Sequence, residues 1–184
     1  MSAGLPLFVL VGLMLSAAFA LRTRWEMQID PDPQPDHRLA GFEAVKAMVV
    51  AALLFGLLGP LVGHLIVFGF TAVARTGRHL LDPTAHLFLA MFAYLLGGVP
   101  ALATGALAGA LRPWLGGWRG VLLMGVLAFA VTWLLWAGWT LRSPAPGIST
   151  LSRLQSLLAP AAVLGVPAGL LCGWLYQWRS GRDD

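Results

Sequence analysis

Charged residues are scarce in this sequence. Asp, Glu, Lys and Arg together make up 11% of its 184 residues, whereas 58% are hydrophobic. Soluble domains carry roughly a quarter of their residues as charged side chains, so the composition excludes a soluble globular protein and is typical of a membrane protein. Cysteine is also nearly absent. The single residue, Cys172, excludes an internal disulfide and a cysteine-rich metal site.

Acidic residues and arginine are missing from five long stretches, 5–21, 45–70, 85–111, 120–141 and 154–176. The last four are 22 to 27 residues long. That length is enough to cross a hydrocarbon core at about 1.5 Å of helix rise per residue. The first stretch has 17 residues and is short for a span. We therefore predict an all-α integral membrane protein, one polytopic domain over 1–184 with about five transmembrane helices.

The first stretch has two interpretations. Residues 18–20, Ala-Phe-Ala, fit a signal-peptidase site. However, residues 1–21 contain no Lys or Arg, and Arg22 and Arg24 follow the apolar run directly, as they follow a membrane anchor. We favour a retained helix over a cleaved signal. The expected order is then one entry helix, a Pro-rich cytoplasmic linker at 22–44, and two helical hairpins.

Lys and Arg are distributed unevenly between the predicted loops. With the N-terminus outside, the segments 22–46, 112–119 and 177–184 are cytoplasmic and hold eight of the twelve basic residues. Because basic loops stay in the cytoplasm, this predicts an N-out/C-in orientation. Eleven of the twelve are arginine, which we associate with a GC-rich bacterial genome and hence a bacterial inner membrane. Five tryptophans are expected near the cytoplasmic interface: Trp25, Trp114, Trp118, Trp174 and Trp178.

One four-letter phrase occurs twice. GVPA stands at 98–101 and again at 165–168, in two segments that run in the same direction through the membrane. This is consistent with a parallel duplication of a helical hairpin, 45–111 and 120–176. Chance recurrence in a composition rich in these residues is the alternative.

Small residues recur every four positions in the third and fifth stretches. Residues four apart share a helix face, so each stretch carries a stripe where another backbone can approach closely. We predict helix packing for both stripes, with a substrate path as the alternative. The stripe residues are Gly97, Ala101, Gly105 and Gly109 in the third stretch, and Ala161, Gly165, Gly169 and Gly173 in the fifth.

Three prolines, Pro60, Pro100 and Pro167, lie near the middle of their stretches. Each lacks an N–H, so the carbonyl four residues earlier loses its usual partner. Transporters build binding sites near the membrane midplane from such interrupted helices, and Thr104 is one of few polar residues at that depth. The prolines predict either a ligand cavity there or helix packing alone. The carbonyls concerned belong to Gly56, Leu96 and Val163.

Ionisable side chains inside the stretches are rare, and they mark functional sites by default. His64 is internal, His86 lies at the outer start of the third stretch, and His79 and Asp82 lie between them. A divalent metal or a haem is one hypothesis for these four residues. The alternative is that the histidines are satisfied or interfacial and hold no cofactor.

Motifs that carry catalysis are missing. The sequence has no P-loop, no HExxH motif and no nucleophile elbow, and no Asp or Glu lies within the five stretches. We expect no enzyme activity. We also expect no nucleic-acid partner, because the basic residues do not cluster with interleaved aromatics.

Two functions of different class remain. In the first, which we favour, the chain is a non-catalytic membrane subunit or assembly factor whose stripes pack against another membrane protein or a second copy. Residues 30–37, DPDPQPDH, are then an extended spacer or a docking strip. In the alternative, the chain is a small-solute binding or transport component with its site at the interrupted helices. A haem- or metal-binding subunit comes third.

The two leading functions predict different results for enlarged stripe residues. A subunit should lose its partner in Gly105→Leu or Gly169→Leu, because leucine blocks close helix approach. Co-purification from the native membrane measures this. A ligand-binding protein should instead lose a bound small molecule when side chains around its cavity are enlarged.

Overall fold

The computed structural model of the chain describes residues 5–29, 37–74, 83–142 and 149–180. These ranges contain helices and no strand. Five helical stretches are long and apolar enough to cross a membrane, one in each of the first four helices and one across the last two. The prediction of an all-α, multi-pass membrane protein is confirmed. The elements are α1 (Leu5–Ile29), α2 (His37–Ala74), α3 (Pro83–Leu111), a 3₁₀ turn (Arg112–Trp114), α4 (Gly117–Arg142), α5 (Thr150–Ser156) and α6 (Leu158–Ser180).

The helices extend beyond the apolar stretches. α1 continues to Ile29 and α2 begins at His37, so the interval predicted as a linker, 22–44, is helical at both ends. The physical reason is that arginine, glutamate and lysine are good helix formers in water, so a helix does not have to end where the hydrocarbon ends. Within this interval, only residues 30–36 lie outside the described ranges.

The last predicted stretch, 154–176, consists of two helices that meet at Leu157. Pro160 explains the break, because a proline in a continuous helix leaves the carbonyl four residues earlier without a partner. Restarting the helix at Leu158 places Pro160 in the first turn of α6, where its missing N–H costs little. The Leu157 carbonyl accepts the first hydrogen bond of α6 from the Ala161 N–H, at 3.0 Å.

Four helices form a ring around the bundle axis. α2 contacts α3 and α6, and α4 contacts the same two helices. α1 lies outside this ring against α2, α3 and α4. Contacts at its two ends define the two sides of the bundle. Near its start Phe8 lies beneath the Arg142 guanidinium, and near its end Trp25 packs edge-on against Trp114. We call these the Arg142 side and the Trp114 side.

The turn between α3 and α4, on the Trp114 side, is held by α6. Gln177 of α6 donates its side-chain N–H to the Leu115 carbonyl at 2.6 Å. The chain then enters α4 at Gly117, whose φ of 67° lies in the left-handed region that favours glycine. The turn therefore depends on both its own glycine and a side chain from the last helix.

The small residues of α3 lie against the backbone of α2. A Cβ added at Gly105 would stand 2.5 Å from the Ala51 carbonyl oxygen and 2.7 Å from the Ala52 Cα. A Cβ at Gly109 would meet the Ala47 carbonyl oxygen even more closely. This close approach is the membrane counterpart of core packing, since lipid offers no hydrophobic drive between helices.

The small residues of α6 lie against α4 in the same way. A Cβ at Gly169 would stand 2.6 Å from the Met124 carbonyl oxygen, and one at Gly165 would stand 3.1 Å from that of Ala128. Ala161, at the start of the series, is fully buried. The two hairpins predicted from the sequence thus pack as α2 on α3 and α4 on α6. Duplication of one from the other stays a prediction.

Adding a methyl group to α3 should have opposite effects at two glycines. Gly105→Ala forces a methyl into backbone atoms of α2, which should lower the free energy of unfolding by about 1–3 kcal/mol. Gly98→Ala is the control, because a Cβ there meets nothing within 4 Å. Alanine at that position should be neutral or raise the free energy by up to about 1 kcal/mol. Unfolding in mixed micelles measures both, and equal effects would contradict the close contact at Gly105.

Candidate functional site

A cavity of about 240 Å³ lies inside the ring of α2, α3, α4 and α6. Its wall is almost entirely apolar and combines aromatic side chains with glycine and alanine. The lining residues are Phe55, Gly59, Pro60, Gly63, His64 and Val67 on α2; Leu89, Phe92, Ala93, Leu96, Gly97, Ala101 and Thr104 on α3; Ala128, Thr132 and Trp136 on α4; and Leu164, Gly165, Ala168 and Gly169 on α6.

The cavity is long in the direction of the helices. On α2 its lining runs from Phe55 to Val67, which is about 18 Å of helix. On α4 it runs from Ala128 to Trp136, about 12 Å. An engineered protein cavity of about 150 Å³ binds benzene. The present cavity is therefore large enough for a small organic molecule, with its long axis parallel to the helices.

Small residues create this space. Where α3 lies close to α2, at Gly105, the two backbones touch. Nearer the Arg142 side, a Cβ at Gly97 would be 3.9 Å from the nearest atom of Pro60. α2 and α3 therefore separate from Gly105 towards the Arg142 side, and the stripe residues on that side, Gly97 and Ala101, face the cavity. Ala101, Gly165 and Gly169 combine both roles, since they line the cavity and lie close to a neighbouring helix.

The polar groups of the lining mostly bond to the backbone. The Thr104 hydroxyl donates to the Pro100 carbonyl at 2.8 Å and is buried. The Trp136 indole N–H donates to the Leu96 carbonyl at 3.1 Å. Hydroxyl oxygens keep acceptor capacity when they donate, so Thr104 can still accept one hydrogen bond. Among the described lining residues, His64 is the one with an ionisable side chain, and its ring stacks near Phe68 with centroids 6.5 Å apart.

The hydrogen bond from Trp136 satisfies a carbonyl that Pro100 leaves without a donor. Proline at position 100 cannot donate to the Leu96 carbonyl, which a regular helix would require. In hydrocarbon an unsatisfied carbonyl costs several kcal/mol, so a donor from another helix is needed. Trp136 of α4 supplies it. A separate bond joins α3 to α2, because the Tyr94 hydroxyl donates to the Leu57 carbonyl at 2.8 Å, one residue beyond the Gly56 carbonyl that Pro60 leaves open.

Two of the four predicted cavity residues line the cavity in the structure. Pro60 and Thr104 line the cavity, whereas Pro100 and Pro167 are not among the described residues of its wall. Pro100 is buried and acts on the cavity indirectly, through the carbonyl that Trp136 binds. Trp136 was not predicted from the sequence as a cavity residue. The signal was present, because an orphaned Leu96 carbonyl requires a donor.

The metal hypothesis stays a prediction. His64 lies in the cavity wall, but His79 and Asp82 fall outside the described residues, and His86 lies on α3 with its side chain outside the description. Within the described ranges, no group of three or more His, Cys, Asp or Glu side chains is placed to hold a metal ion. His64 is thus the only one of the four that the structure positions.

No family model, curated protein or solved structure matches this chain. The chemistry of the wall then describes what the cavity accepts. Apart from His64, the described lining contains no ionisable side chain, so it offers no carboxylate, ammonium or guanidinium to a charged solute. It fits an uncharged, mostly apolar molecule that makes few hydrogen bonds.

Trp136 and Pro100 should be energetically coupled. Trp136→Phe leaves the Leu96 carbonyl unsatisfied and should lower the free energy of unfolding by about 0.5–2 kcal/mol. In a Pro100→Ala background, residue 100 regains an N–H for that carbonyl, so the same substitution should cost less. A double-mutant cycle in mixed micelles measures the difference.

The matched control is Trp139→Phe on the same helix. Trp139 is 70% exposed and donates no hydrogen bond in the described part of the structure, so its substitution should cost little in either background. An identical loss for Trp136→Phe with and without Pro100 would mean that the indole acts by packing alone.

Proposed function

We propose that this chain is a membrane-embedded binding or transport component that holds a small, uncharged and mostly apolar molecule inside its helix ring. The observation that carries the proposal is the cavity of about 240 Å³ between α2, α3, α4 and α6. Ligand sites in helix bundles are commonly concave, apolar and equipped with few polar groups. The wall of this cavity has that composition. A bacterial inner membrane is the proposed location, with the N-terminus outside.

The contacts of the glycine stripes favour this function over that of a subunit held to a partner by those stripes. Gly105 and Gly109 are covered by α2, and Gly165, Gly169 and Gly173 are covered by α4. A partner helix would have to displace a helix of this chain to reach them. The stripes are therefore already used for packing within this chain. The cavity is the remaining feature on which a function can be based.

The lining supports binding or transport and no bond-making chemistry. Acid–base and nucleophilic catalysis need a pair of groups within hydrogen-bond reach of each other. His64 is the one titratable residue among the described lining residues, and the Thr104 hydroxyl donates to the backbone. We therefore propose that the occupant leaves the cavity chemically unchanged.

The direction of entry follows from the proposed orientation. With the N-terminus outside, the Arg142 side is the outer side of the membrane. Val67, Leu89 and Trp136 then lie at the outer end of the cavity, and Phe55 and Thr104 lie at its inner floor. Phe55 is 2% exposed and Thr104 is 1% exposed. A molecule held here is thus closed off from the inner side and is proposed to enter from the outer half of the bilayer.

Native mass spectrometry of the protein, gently extracted from its own membrane, tests the proposal. We expect a lone or self-paired chain that carries additional mass from a small organic molecule. Ala168→Phe should abolish this mass, because the phenyl ring extends into the cavity from α6. Val163→Phe is the matched control. Val163 lies on the same helix, 43% exposed and outside the lining, so this variant should keep the bound molecule.

Three results would contradict the proposal. A stable assembly with another polypeptide and no bound small molecule would support the membrane-subunit hypothesis. Bound mass equal to haem or a metal ion would support the cofactor hypothesis. Equal retention of the small molecule in Ala168→Phe and Val163→Phe would place it outside the cavity.

A further inference from the structure

A second cluster of polar side chains lies outside the cavity lining, on the Trp114 side. Arg22 of α1 is only 8% exposed and forms an ion pair with Glu26, one turn further along the helix. Its guanidinium carbon also lies 4.7 Å from the centre of the Trp25 ring. Its Nε atom is buried and has no hydrogen-bond partner in the described structure. Arg22 is thus a charged side chain held inside the protein.

Arg112 approaches the same place from the turn between α3 and α4. Its guanidinium carbon is 5.7 Å from the centre of the Tyr176 ring of α6. Tyr176 itself is 7% exposed. Arg22 reaches this end of the bundle from α1, where it lies over Trp25, and Trp25 packs edge-on against Trp114, two residues after Arg112. Three separate elements therefore bring two guanidinium groups and a buried tyrosine to the same end of the bundle.

The charges of this cluster do not balance. Glu26 forms an ion pair with Arg22, and no described carboxylate forms one with Arg112. Two guanidinium groups with one carboxylate leave a net positive charge at this end of the bundle, which a further anion would balance. Arg112 is exposed at the protein surface, so an anion can reach it. Beneath it, Arg22 contributes positive potential from a fixed, buried position.

The depth of the cluster identifies the region from which the anion comes. Four tryptophans around this end of the bundle are at least half exposed, as expected for indole rings at the membrane–water interface. The cluster therefore lies at the level of lipid headgroups. The tryptophans are Trp114 at 51%, Trp118 at 68%, Trp174 at 53% and Trp178 at 54% exposure.

We propose that the phosphate group of an anionic phospholipid binds at Tyr176, between Arg112 and Arg22. The exposed Arg112 fork matches phosphate oxygens in a two-pronged arrangement. The buried Arg22 adds positive charge behind Arg112, partly offset by Glu26. Basic pockets between transmembrane helices on the cytoplasmic side recognise anionic headgroups by this chemistry. The proposal is independent of what occupies the cavity.

Lipid titration followed by native mass spectrometry tests the site. The delipidated full chain in detergent is titrated with phosphatidylglycerol or with phosphatidylcholine of the same acyl chains. We expect one phosphatidylglycerol to bind selectively. Arg112→Gln should weaken this binding about tenfold, since a charge-assisted hydrogen bond is lost. Arg112→Lys should fall between, because it keeps the charge and loses the fork.

Arg119→Gln is the matched control. Arg119 is an exposed arginine at the same end of the bundle, where its guanidinium lies 5.8 Å from the centre of its neighbour Trp118. This variant should bind phosphatidylglycerol like the unmodified chain. Unchanged phosphatidylcholine binding in every variant verifies that the fold is retained.

Two outcomes would overturn the proposal. Equal weakening of phosphatidylglycerol binding in Arg112→Gln and Arg119→Gln would mean that general surface charge attracts the lipid and that no specific site exists at Arg112. Full displacement of the lipid by millimolar inorganic phosphate would assign the site to a soluble phosphate. Selective loss in Arg112→Gln, resistant to inorganic phosphate, supports the lipid site.

Discussion

Hydrocarbon cannot donate hydrogen bonds, so every backbone carbonyl that a helix leaves open must find a donor within the protein. Pro100 opens one at Leu96 and helix ends open others, and side chains from other helices bond to several of them. In each case the donor joins two separate segments, so the repair of a local defect becomes a tertiary contact. The pairs are Trp136 with Leu96, Arg153 with Thr140, and Gln177 with Leu115. Tyr94 and Trp133 form further bonds between helices, to the Leu57 and Leu154 carbonyls.

The glycine and alanine residues complement these bonds. Where they meet a neighbouring backbone, as Gly105 meets α2 and Gly169 meets α4, they draw the helices together. Where the helices separate, the same kind of residue leaves the space unfilled, as at Gly97 and Ala168. Close contact and cavity are thus two results of one sequence pattern. The local separation of the helices decides between them.

The sequence predicts the spans well because hydrophobic length is a local property. Four of the five predicted stretches each fall within one helix, and the fifth crosses the break at Leu157. The small residues of α3 and α6 lie where these helices approach α2 and α4. The sequence does not predict which helix each small-residue face packs against. The spacing of Gly105 and Gly109 is the same whether the facing helix belongs to this chain or to another, so the structure was needed to place α2 there. The cavity was predicted at the prolines, but only Pro60 reaches its wall, because a proline changes a helix at the carbonyl it exposes. Helix ends were missed where polar residues continue a helix into water, as between Arg22 and Ile29.

The closed ring has a consequence for biosynthesis. Chains are made from the N-terminus, so among the described helices α6 leaves the ribosome last. Until α6 inserts, the faces of α2 and α4 that it covers are open to lipid, and the wall formed by Leu164, Gly165, Ala168 and Gly169 does not exist. The turn after α3 likewise waits for Gln177, 62 residues further along the chain. The interior compartment is therefore created in a single late event, and a chain that stalls before α6 presents the bilayer with an open groove.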